Sequence, residues 1–152
     1  MKKLILLFTI LATGLISAQW KSQNIVDDFG DVTQVVESYT TVGKFSNSAT
    51  RNSTLKVVVT DFEDLYRIQL YEYGYGAPAS LSYDWEDTIV SVKLEDGSIV
   101  SGSASLVPEG QGIYIYKKNK LGKLISTYSG TIKFGVNEDR SNYIFSIKGR
   151  GN

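Results

Sequence analysis

The stretch IVSVKLEDGSIVSGSASL, residues 89–106, decides the fold. Val90, Val92 and Leu94 alternate with Ser91 and Lys93. After Glu95-Asp96-Gly97-Ser98 the alternation resumes, with Val100, Ala104 and Leu106 set against Ser101 and Ser103. A period of two places each set of side chains on its own face of a strand. An Asp-Gly pair between two such runs signals a hairpin, because both central residues of a type I′ turn need positive φ. A hairpin with one apolar and one polar face belongs to an antiparallel sheet that buries only the first.

The same period recurs on both sides of this hairpin. Strands are expected over residues 33–42, 55–59, 66–73, 113–117, 131–136 and 143–148, which with the hairpin makes eight. Residues 137–142 form the link of a second hairpin. Residues 27–31 and 74–78 read as irregular, and 61–64 as a link. Within 120–129, Leu121, Leu124 and Ile125 have helical spacing, although Gly122 weakens a helix. The fold expected is all-β, an antiparallel β-sandwich or closed barrel of about eight strands with at most one short helix. Ile68, Leu70, Ile113, Ile115, Phe134 and Phe145 are among the residues expected to point inward.

The chain has 152 residues, enough for one domain. Residues 1–18 carry Lys2 and Lys3, an apolar run and the small pair Ser17-Ala18, the order of a secretory signal peptide. Cleavage after Ala18 leaves one β-domain, 19–152, with no stable membrane span. The expected location is secreted or periplasmic. There is no Cys and no His. Thiol chemistry, disulfides, His-based catalysis and Cys- or His-ligated metal sites are therefore excluded. With 16 basic and 16 acidic groups the chain lacks the basic footprint of a nucleic-acid binder. No phosphate-loop motif occurs and no cofactor is implied.

Three features bear on function. Alternation places Tyr71 and Tyr73 outward with Arg67 and Gln69, and Tyr114 and Tyr116 outward on a second strand. Tyr83 and Trp85 alternate in the same way. Flat rings beside hydrogen-bonding side chains suit a sugar ring or a protein partner, although Tyr is also favoured in strands for packing alone. The acidic clusters Asp27/Asp28/Asp31 and Asp84/Glu86/Asp87 have oxygen ligands of the kind calcium takes, but not the spacing of a known calcium loop. Glu72 falls on the inward face, where a buried acid has the raised pKa of a general acid. No second acid is marked as its partner. Charge is also uneven: residues 61–96 hold nine acids against Arg67 and Lys93, whereas 117–150 hold eight basic groups against Glu138 and Asp139.

Trp20, the run Asp27-Asp28-Phe29-Gly30-Asp31-Val32-Thr33, a β-rich middle, a short Leu-containing segment before the last strands and the ending Phe145-Ser146-Ile147-Lys148-Gly149 resemble small exported VasI-type proteins associated with type VI secretion. The chain lacks that family's early Pro and early-strand Cys. The resemblance implies an envelope β-domain and transfers no site residues. The signal peptide and Tyr-rich strands equally resemble exported β-domains of Bacteroidetes.

The sequence thus points to an exported, non-enzymatic β-domain. It would bind a glycan or envelope protein through Tyr71, Tyr73, Tyr114, Tyr116, Arg67 and Gln69, with no catalytic or metal residues. The alternatives are a carboxylate-dependent polysaccharide hydrolase and a structural envelope component that self-associates through an open sheet edge.

Overall fold

A computed structural model describes residues 19–82, 84–138 and 140–151. Residues 1–18, where a signal peptide is expected, Tyr83 and Asp139 lie outside the described residues. Among the described residues no helix is long and apolar enough to cross a membrane. The elements are β1 (Trp20–Val26), β2 (Val32–Ser46), β3 (Ser53–Asp61), β4 (Leu65–Glu72), β5 (Glu86–Lys93), β6 (Ile99–Val107), β7 (Gly112–Tyr116), α1 (Lys120–Thr127), β8 (Thr131–Glu138) and β9 (Ser141–Lys148).

All strand pairs are antiparallel, in the order β1-β2-β3-β4-β7-β6-β5-β8-β9. The sheet then closes on itself: Lys44, Phe45 and Ser46 of β2 pair with Ile144, Tyr143 and Asn142 of β9. The result is an eight-stranded barrel, not a sandwich, with β1 as an extra strand. Closure pairs β9, which a flat sheet would leave as an edge, with β2, while β1 stays an edge strand. The 15-residue β2 is long enough to serve two neighbours along one edge, β9 near its end and β1 along its first half. β1 was not expected from the sequence. Its polar WKSQN run lacks alternation, because little of it packs against a core.

The inward residues are those that alternation assigns. Ile68, Leu70, Ile113, Ile115, Phe134 and Phe145 are all buried, and Val100 and Leu94 pack partly against them. A barrel of eight strands has an interior just wide enough for side chains to fill. This one is filled, with Phe134 stacked on Phe145 at its centre. α1 follows at 120–127, and Leu121 and Ile125 enter the core. Leu121 sits where a Cβ on Gly102 of β6 would stand, 2.8 Å from its Cγ. The helix thus closes one end of the barrel.

The central hairpin needs one correction. Gly97 has φ +86, but Asp96 does not lie in the left-handed region. Gly97 N–H donates to the Leu94 carbonyl (3.0 Å), and Leu94 N–H to the Ser98 carbonyl (2.9 Å). This is a type I turn followed by a left-handed glycine, the three-residue hairpin, instead of a type I′ turn. The Asp96 carboxylate fixes it by accepting from Ser98 N–H and Oγ, and those bonds hold its pKa below the usual carboxylate range.

Candidate functional site

On the outer face of β4 and β7, Arg67 pairs directly with Tyr114. The guanidinium of Arg67 lies over the Phe62 ring at 5.0 Å. The Trp85 ring stands edge-on to Tyr114, centroids 5.7 Å apart and planes at 85°. Tyr114 donates its hydroxyl hydrogen to Gln111 Oε1 (2.9 Å), which fixes the ring. Phe62, Arg67, Tyr114 and Trp85 therefore form a continuous row across the sheet, and Trp85 is 61 % exposed. Arg67 Nε is buried and has no hydrogen-bond partner. A groove of about 290 Å³ runs beside the row, lined by Gln34, Phe62, Glu63, Asp64, Leu65 and Tyr114.

The remaining sequence-predicted residues separate from this row. Tyr71 faces outward beside Gln69, but Lys56 covers its ring at 5.1 Å. Tyr116 faces outward under Lys118 at 5.8 Å. Tyr73 is the exception to alternation. It follows β4 with φ +58 and turns its ring edge-on to the core residue Phe45, centroids 5.0 Å apart. The backbone has left the pleat at that point, so the period that placed Tyr73 with Arg67 no longer applies. Trp85 was visible in the sequence only as an alternating aromatic. Phe62 lies in the short link after β3, where no periodic signal exists.

Acidic side chains gather elsewhere, at the barrel mouth opposite α1. Glu72 points inward, as alternation requires, and its Oε1 accepts the Tyr143 hydroxyl at 2.9 Å. Glu86, Glu138, Arg140 and Tyr143 line a depression of about 370 Å³ here, with Ser80, Leu81, Ser82 and Ser141. Burial, and after it the Glu72 and Glu138 carboxylates, push the Tyr143 hydroxyl up to about 12. Burial likewise raises Tyr39 and Tyr66. An unfolded Tyr ionises near 10. The stability that the neutral Tyr143 hydroxyl contributes is thus complete below about pH 10. It falls as pH rises toward about 12, because the unfolded chain ionises first. In urea titrations across that interval, Tyr143→Phe is expected to lose stability less steeply than the parent. Equal slopes would refute this origin.

The closed end carries an ion network. Asp61 bridges Lys117 (2.6 Å) and Arg150 (3.6 Å), and Arg150 also pairs with Glu37. Arg150 lies over the Trp20 ring at 4.6 Å, and its N–H donates to the Ile125 carbonyl. These contacts tie β1, β3, α1 and the C-terminal residues together, which accounts for the charges structurally.

Neither acidic cluster forms a cage among the described residues. Asp27 Oδ1 is taken by the Phe29 and Asp31 N–H groups, and Asp87 Oδ1 by the Ser105 hydroxyl. Among the described residues no three acidic side chains meet in a metal-holding group. No family model, characterised protein or solved structure matches this chain, so the site is read from its chemistry alone.

Proposed function

We propose that this protein is an exported, non-enzymatic β-barrel that binds a glycan at the Phe62–Arg67–Tyr114–Trp85 row. The observation that carries this reading is the unpartnered Arg67 Nε, with the guanidinium over Phe62 and Tyr114 as its cross-strand neighbour. A buried donor without an acceptor is costly, and a small shift of the side chain offers it to a ligand hydroxyl. The exposed Trp85 face supplies the flat apolar surface on which a sugar ring stacks. Its perpendicular contact with Tyr114 holds the two rings as a corner. The reading narrows the sequence-based set: Arg67, Tyr114 and the neighbouring Gln69 remain, while Tyr71 and Tyr116 lie under lysines and Tyr73 faces Phe45.

The test is calorimetric titration with a panel of soluble glycans. For a glycan that binds, Trp85→Ala and Tyr114→Ala are expected to weaken affinity at least about tenfold, as loss of an aromatic anchor does. Tyr71→Ala is expected to leave it unchanged. A panel with no binder, or a binder indifferent to Trp85, defeats the proposal. A hydrolase would instead place its acids at the mouth, where Glu72, Glu86 and Glu138 gather. Release of reducing ends in the same incubations separates cleavage from binding.

A further inference from the structure

We propose that the protein self-associates head to tail, the β1–β2 tip of one copy docking on the outer face of β8 and β9 of the next. Pairing of β2 with β3 begins only at Glu37, so residues 32–36 pair with β1 alone and the two strands extend beyond the barrel as an arm. At its tip Phe29 is 93 % exposed, with Val26, Val32 and Val35 also exposed behind it. The tip is rigid. Asp27 Oδ1 accepts from the N–H groups of Phe29 (2.9 Å) and Asp31 (3.0 Å), and Asp27 N–H donates to the Asp31 carbonyl. A large ring held in water by a pre-ordered loop is an anchor whose ordering cost is already met. Asp28 and Asp31 flank it and form no ion pair among the described residues.

The complementary surface lies on the same chain. Gly135 of β8 sits between Ile144 of β9 and Ser91 of β5 on the outer face. A Cβ there would meet nothing within 4 Å, so the glycine leaves a depression. It measures about 230 Å³ and is walled by Ile99 and Ile144, both exposed. Lys93 and Lys133 stand directly opposite each other on its rim. Like charges facing across a strand pair repel, and neither lysine has an acidic partner within ion-pair distance among the described residues. An apolar hollow with two unneutralised cations matches an apolar plug with two unneutralised anions. Because plug and socket are different surfaces, the contact is heterologous and can propagate from copy to copy. It uses neither the aromatic row nor the mouth, so it stands independently of the glycan reading. Its small area implies a weak contact.

Sedimentation equilibrium on the purified protein tests it. The average mass is expected to rise with concentration and to fall as salt is raised. Phe29→Ala, lacking the plug, and the double variant Lys93→Glu/Lys133→Glu, lacking the socket, are each expected to weaken association at least about tenfold. Mixing the two is expected to restore a one-to-one dimer, since each supplies what the other lacks. Circular dichroism of these surface variants confirms that they fold. A wild-type protein that stays monomeric to millimolar concentration overturns the proposal. So does association that survives Phe29→Ala, which would indicate pairing through the β1 edge, and so does a mixture that stays monomeric. Co-flotation of a monomeric protein with anionic vesicles, lost in Phe29→Ala, would assign the tip to a membrane surface and overturn it equally.

Discussion

Phe134→Ala is expected to lower the unfolding free energy by about 4 kcal/mol, the cost of deleting a buried aromatic ring whose space cannot fully collapse. Phe134 is 1 % exposed and sits mid-strand, paired with Val92 of β5 on one side and Phe145 of β9 on the other. Its ring lies parallel to that of Phe145, planes 4° apart and centroids 5.0 Å apart. The barrel wall around it is hydrogen-bonded on both sides, so the strands cannot close on the hole. A domain of this size has a total stability of about 5–15 kcal/mol. The variant therefore loses a large share of that stability, and Phe134→Leu, which keeps most of the volume, should retain much of the difference. Urea unfolding curves of the three proteins decide it. A loss below about 1 kcal/mol for Phe134→Ala would mean that the core is plastic.

Gly122→Ala is expected to destabilise by about 3 kcal/mol, against the sign of helix propensity. In an isolated helix this change gains about 1 kcal/mol. Here a Cβ at residue 122 would stand 2.2 Å from the Tyr116 carbonyl oxygen and 2.5 Å from Lys117 Cα. Both are backbone atoms at the end of β7 and cannot rotate away. The helix must lift, and Leu121 and Ile125 on either side of Gly122 leave the core with it. The Tyr66 hydroxyl then loses Ser126, which bonds it at 2.8 Å from the same helix. A melting temperature about 10 °C lower is the expected reading. An unchanged or higher one would show that the close approach is not needed for docking.

The two variants mark where the sequence is informative and where it is not. The inward position of Phe134 is legible, because alternation is a local property: residues two apart share a face whatever the sheet does next. The same reasoning places Glu72 inward and Arg67 and Tyr114 outward. It fails at Tyr73, where a positive φ takes the chain out of the pleat, and at β1, whose polar face gives no periodic signal. The glycine at 122 reads in sequence as a flaw in a helix. Only the approach of β7 explains it.

The sequence by itself determined the class, eight of the nine strands, the two hairpins and the inward residues, since these follow from period and turn chemistry. Tertiary structure alone decided that the sheet closes into a barrel, because the pairing of β2 with β9 joins residues about a hundred positions apart and nothing in either strand names its partner. It also decided which of the outward rings are covered by lysines, and which two join Arg67 and Tyr114 in one row. A side chain's face is fixed by its own strand, but its neighbours are fixed by strand order, which long-range packing sets.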